Sequence, residues 1–281
     1  MQFLIPVLSA ILQSASFTID KFTLNIKKVT YKNYTVISFP LIFIFTLIIF
    51  LIFRPPLSLD LFYGKYLLLI AISIILGICT NIIFYKVMKT ENLTEIETIT
   101  LINRVPIVIL AGIFFIEERN YITMALAIFS ALVLVWSHWE KHHFHIAKKT
   151  WPFLIWTFTV APLVAIITKE LLQQFNPIAL HLVTSGFEAI FFLIIFSKNF
   201  ERTPKKAIPF LILTNLLTTI AWILYFFSFI KSGIVFTILV FSLQPLLVYL
   251  ASIIFLKEKF NKKKAIAFLI ILVSIAATQI L

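Results

Sequence analysis

The sequence predicts an all-α membrane protein: ten transmembrane helices arranged as two inverted five-helix repeats around a central cavity. Three observations carry that expectation. The 281 residues are 61% hydrophobic and 13% charged, with a mean hydropathy of +1.04, a composition that soluble domains do not sustain. The apolar residues gather into ten segments, about 2–19, 34–53, 66–85, 93–116, 121–138, 151–171, 178–197, 207–229, 233–256 and 264–281. Each is near the roughly 20 residues that cross a bilayer as a helix. Finally, the two halves echo one another. Shifted by 140 positions, Phe84-Tyr85 falls on Leu224-Tyr225, Arg104 on Gln244, Glu118 on Glu258, and Ala125 and Ala127 on Ala265 and Ala267. Nearer the N-terminus the offset grows to 148 and places Lys21 on Lys169. Internal repetition outranks local motifs, and an odd number of spans per unit turns the second unit upside down in the membrane. The expected units are residues 1–140, a basic, His-rich linker at 141–150, and residues 151–281.

In order, the first segment has no small-residue cleavage site and reads as a retained span. It carries Ser9, Gln13, Ser16 and Asp20 at helical spacing. The second is almost wholly apolar. The third bears Ser73, Gly77, Asn81 and Tyr85, each four apart. The fourth holds Thr94, Glu97, Thr100 and Arg104 in one stripe, with Asn103 beside the arginine and Pro106 two residues on. An arginine at the bilayer centre costs roughly 2.5–3.5 kcal/mol on insertion scales, so Arg104 marks either a site or a fixed ion pair. The fifth leads into the linker and the sixth closes on Lys169. The seventh contains His181, Thr184, Ser185 and Glu188; the eighth, Asn215, Thr218, Trp222 and Tyr225; the ninth, Thr237 and Gln244 ahead of Pro245. The tenth is poor in polar residues. One such stripe can be helix-to-helix glue; several together favour a shared polar cavity.

Charge sets the orientation. The loops after spans 1, 3, 5, 7 and 9 hold 18 lysines and arginines, and the other loops hold five: Arg54, Lys65, Arg119, Lys169 and Lys231. By the positive-inside rule the rich face is cytoplasmic and both termini face out. The formal charge of +12 is thereby explained without a nucleic-acid partner. The single cysteine, Cys79, excludes a disulfide framework.

A midplane guanidinium suits a carboxylate or phosphate. Gln13, Asn81, Asn103, Asn215 and Gln244 are candidate hydrogen-bonding neighbours, and Tyr85, Trp222 and Tyr225 candidate walls. The expected substrate is therefore a small anionic or zwitterionic metabolite. Glu188 and Glu97 are candidates for gating or coupling: Glu188 by pairing with Arg104, by carrying a coupling proton, or as a structural protonated acid. His138 and His142 have i, i+4 spacing, yet they sit in a wet basic linker, and no metal is expected. No Walker lysine motif, Gly-rich nucleotide fingerprint, HExxH or GxSxG occurs. No cofactor and no catalytic residue are expected, and transport would run on a gradient.

The pattern resembles the EamA-like members of the drug/metabolite transporter superfamily. The matching residues are Asp20-Lys21 closing the first span, FYKVMKTENLTEIETI at 84–99, a proline-bearing fourth span ending in Glu117-Glu118-Arg119, and its counterpart Lys257-Glu258-Lys259. The resemblance implies a central cavity lined by spans 1, 3, 4, 6, 8 and 9 and secondary transport by alternating access, often of amino acid-like metabolites. It also implies a bacterial cytoplasmic (inner) membrane setting and a monomer or weak homodimer. It further implies both termini in the cytoplasm, against the lysine count, and more glycines than the five present. The competing readings are a non-transporting membrane receptor or assembly factor, and a membrane-embedded lipid-modifying enzyme.

Overall fold

The computed structural model describes residues 3–91, 96, 100, 103–137, 150–256 and 262–280. All regular structure among them is helical. In chain order the α-helices are α1 Leu4–Asn25, α2 Tyr31–Phe53, α3 Gly64–Thr90, α4 Arg104–Phe114, α5 Tyr121–Ser137, α6 Trp151–Leu172, α7 Pro177–Phe196, α8 Ile208–Lys231, α9 Ile234–Phe241, α10 Gln244–Leu256 and α11 Lys262–Ile280.

Local chemistry sets several boundaries. Thr30 and Asn33 form a capping box at the start of α2: Asn33 N donates to Thr30 Oγ1 at 3.3 Å and Thr30 N to Asn33 Oδ1 at 2.6 Å. Arg54 ends α2 in the left-handed region, φ 46°, just before Pro55-Pro56 forbid continuation. Asn176 caps α7, accepting from Ile178 N at 2.9 Å, with Pro177 at the first helical position.

Five helices among the described residues are long and apolar enough to span a membrane, within 31–53, 64–90, 151–172, 177–200 and 205–231. Their surfaces are apolar as well: Leu51, Ile52, Phe53, Leu68, Ile155 and Ile194 are all exposed. In water this would be ruinous, and against lipid it is the ground state. The remaining apolar helices are shorter or more polar. The ninth segment, expected as one helix over 233–256, is broken into α9 and α10 at Ser242-Leu243. Pro245 is the reason, because it has no N–H and its ring crowds the carbonyl four residues back. Likewise, Asn103 is a turn residue and α4 begins only at Arg104, two residues before Pro106.

The helices pack α1 on α8, α2 on α7, α3 on α6, and α5 on α11; α4 lies against α5, α6 and α9. Two apolar clusters result. One contains Leu24, Tyr34, Met88, Phe153 and Phe192 near the lysine-rich helix ends; the other contains Leu61, Phe115, Leu171, Phe229 and Leu239 near the opposite ends. Ile74 packs against both, and the polar stripes cross that middle level. Two lysines tie helix ends. Lys21 Nζ donates to Met88 O at 2.7 Å and Glu91 O at 2.5 Å, at the end of α3. Lys169 Nζ donates to Phe229 O at 2.8 Å, at the end of α8, and meets Glu118 Oε1 at 3.3 Å. Glu118 also accepts from Ile234 N at 2.7 Å and Val235 N at 3.0 Å, capping α9. Gly233, at φ 82°, has no room for a Cβ, which would lie 2.8 Å from Glu118 Oε2.

Candidate functional site

The two helix breaks hold the two residues that head the candidate site. Arg104 is the first residue of α4 and Gln244 the first of α10. Both are buried, at 6% and 8% exposure. Because α4 packs on α9, the interrupted segments meet. Each helix start directs unpaired backbone N–H groups and the positive end of a helix dipole into the protein, and Arg104 adds a full charge there. Tyr225 stands on α8, which also packs on α9. Tyr225 in turn belongs to an aromatic cluster, with ring centroids 5.3 Å from Trp222, 4.5 Å from Phe229 and 4.7 Å from Phe241. Trp222 is 38% exposed, so one side of this cluster is open. Asn103 is half-buried in the turn, its carbonyl accepting from Ile107 N at 3.3 Å. Gln13 is buried on α1, which runs beside α10, and Ser14 Oγ donates to Gln244 O at 3.3 Å.

A second group lies on α3 and α7. Glu188 is half-buried, and its Oε1 would lie 2.5 Å from a Cβ at Gly77. Among the described residues no cation reaches it: the ion pairs found are Lys65–Glu170 and Lys169–Glu118. The expected Glu188–Arg104 pair is thus not formed in this arrangement. Asn81 is half-buried and Tyr85 buried, one and two turns beyond Gly77. The Tyr85 ring packs against that of Tyr34 on α2. Glu97 and the linker histidines His138 and His142 lie outside the described residues.

Not every polar stripe faces a cavity. Ser9 Oγ donates to Ala221 O at 2.7 Å, and Ser16 Oγ shares hydrogen bonds with Thr214 Oγ1 at 3.0 Å and Thr218 Oγ1 at 2.5 Å. These hydroxyls form a polar seam between α1 and α8. Asn215, 1% exposed, donates to Ser38 Oγ at 3.1 Å and Leu211 O at 2.7 Å, so here it joins α8 to α2. In this arrangement these hydroxyls and the amide serve as helix-to-helix contacts, each satisfied by a neighbouring helix. Sequence reasoning left Asp20, Tyr34 and Thr214 out of the site. Asp20 is 1% exposed and accepts hydrogen bonds from both the Tyr34 and Thr214 hydroxyls. Its places at the end of the first stripe and in the Asp20-Lys21 pair were the signals available, and its partners lie on two other helices.

A recess of about 490 Å³ opens at the lysine-poor helix ends and is lined by Glu117, Asn120, Thr123, Lys169, Ser232 and Phe236 among others. It surrounds the Glu118–Lys169 joint, and neither Arg104 nor Gln244 lines it. Among the described residues no group of three or more histidine, cysteine or acidic side chains is placed to hold a metal.

Residues 150–279 match the EamA-like transporter family. No curated protein matches the chain. Among solved structures, a crystal structure of a protein shares the fold over 99% of this chain and 96% of its own length, with a TM-score of 0.73 at 14% sequence identity.

Proposed function

We propose, from the match of residues 150–279 to the EamA-like transporter family, that this chain is a transporter of the drug/metabolite superfamily and carries a small anionic or zwitterionic metabolite across the bilayer by alternating access. The carrying observation is the buried Arg104 at the start of α4, against the break that starts α10 at Gln244. Discontinuous helices meeting at mid-depth are how secondary transporters aim helix termini at charged substrates. A guanidinium there offers a carboxylate or phosphate two parallel hydrogen bonds, and Tyr225 with Trp222 supplies a flat wall. Gln13, Asn81, Asn103 and Gln244 would bind the polar remainder. Glu188, and Glu97 from beyond the described residues, would gate or couple the cycle, with Glu188 taking Arg104 when substrate leaves.

The architecture in this reading is ten spans in two inverted repeats, 1–140 and 151–281, joined by a basic linker. The packing supports it. Exchanging equivalent spans turns the α1–α8 contact into α6–α3 and the α1–α10 contact into α6–α4, and both members of each pair occur. Lys21 on the end of α3 and Lys169 on the end of α8 are the same bond made twice. The lysine-rich face is then cytoplasmic.

The test is untargeted metabolite profiling, inside and outside cells, comparing wild type with Arg104→Ala at matched expression. Redistribution of a few anionic or zwitterionic compounds with wild type, lost in Arg104→Ala, is expected. Identical profiles for wild type, Arg104→Ala and empty cells, with folded protein in the membrane, would overturn the reading in favour of a receptor or assembly factor.

A further inference from the structure

The Glu188 carboxyl sits near the middle of α7 against the bare backbone of Gly77, with no cation among the described residues. A carboxyl so placed is stable only as the neutral acid or with a way to exchange its proton. α3 offers that way. Gly77, Asn81 and Tyr85 lie one turn apart along a single face, leading from Glu188 toward the lysine-rich end of the helix. The Tyr85 ring packs against that of Tyr34, with centroids 4.8 Å apart. Tyr34 donates its hydroxyl hydrogen to Asp20 Oδ1. Asp20 stands five residues before the end of α1, at that same end.

No charged side chain among the described residues forms an ion pair with Glu188. α2 brings Phe43 to Gly186 on α7, and α8 brings Phe226 to His181, the one other titratable side chain on α7. Asp20 accepts from Tyr34 and Thr214, and at the same helix ends stand Lys21, donating to the Met88 and Glu91 carbonyls, Lys89, donating to the Leu24 carbonyl, and the Glu91 carboxyl, which accepts from Thr90.

Resting on the transport reading above, we propose that the coupling ion is a proton and that it passes between Glu188 and Asp20 through Tyr85 and Tyr34. Protonated Glu188 gives its proton to a water held by the Asn81 amide. That water passes one of its own protons to Tyr85, whose hydroxyl proton moves to Tyr34, whose hydroxyl proton moves to Asp20. The water and both phenols end neutral. Glu188 ends as a carboxylate and Asp20 as a carboxylic acid, which releases its proton at the lysine-rich face. Rotation of the hydroxyl groups resets the chain. A family of hydroxyl links serves better here than a continuous water column, because it passes protons and excludes other ions.

The experiment is infrared difference spectroscopy of the full-length protein in liposomes after a pH jump. The carboxylic C=O band that disappears in Glu188→Gln reports that residue. In Tyr85→Phe and in Tyr34→Phe, decay of this band is expected to slow at least tenfold, with Tyr66→Phe, a phenol on α3 outside the path, unchanged. Two separate links keep the test decisive if one variant does not fold. Absence of a Glu188 band at every pH, or wild-type decay in both path variants, overturns the proposal. Metabolite redistribution reads transport separately. Redistribution at full rate in Tyr85→Phe overturns the coupling alone, whereas no redistribution by wild type overturns the transport reading and leaves the infrared result to decide the path.

Discussion

At the scale of single residues, the unusual groups are polar side chains without water to answer to. His181 Nε2 is buried with no hydrogen-bond partner among the described residues, and its ring stands edge-on to Phe226 at 5.8 Å. An unmet buried polar atom costs about 1–3 kcal/mol, so His181→Phe, which keeps the aromatic contact, should unfold at higher temperature in detergent. A lower unfolding temperature would mean that the imidazole serves an interaction within the fold. Arg104 and Gln244 stood out in the sequence as polar residues within apolar runs, each just ahead of a proline; the helix breaks there were not foreseen, because Pro40 and Pro162 lie within unbroken helices. Asn215 was read as a cavity residue, and in this arrangement its amide is met by Ser38 and Leu211. An amide at helical spacing suits both roles, and only its neighbour Ser38, 177 positions away, decides between them. Asp20 was passed over for the mirrored reason: its stripe was visible, but Tyr34 and Thr214 come from other helices.

At the scale of helices, the joints are made end to end. Glu118 caps the start of α9 and holds Lys169, which caps the end of α8. Both side chains are buried, at 5% and 7% exposure. Removing one partner of a buried pair leaves the other charge uncompensated and costs about 3–5 kcal/mol. Glu118→Ala should therefore lower the unfolding temperature sharply and reduce the yield of monodisperse protein, and Glu118→Gln should do so less, since its amide oxygen still accepts from the α9 backbone. Equal loss in both would show that the charge carries the whole effect. Apart from the fourth and ninth segments, the apolar runs foretold the helices to within about six residues, because hydropathy sets them. The split of α9 from α10 was signalled by Pro245 and still read as one span, since a membrane helix tolerates proline when neighbours repair the freed groups.

At the scale of the whole molecule, orientation is the open quantity, and two signals disagree: the lysine count puts both termini outside, whereas the family resemblance puts them inside. Single cysteines in a Cys79→Ser background separate the two. Asp60→Cys lies on the lysine-poor face and Asn199→Cys on the lysine-rich face. A membrane-impermeant maleimide added to intact cells should label Asp60→Cys at once and Asn199→Cys only after lysis, and the reverse order would invert the assignment. The Glu118 joint also has a meaning for how the chain is made. Glu118 leaves the ribosome first, Lys169 follows some fifty residues later, and the α9 amides it caps come 116 and 117 positions behind it. The early half therefore enters the membrane with an acid whose partners are not yet synthesised. Insertion of the late half completes it, and a nascent chain released before Lys169 would present an unanswered carboxylate to the cell's quality control.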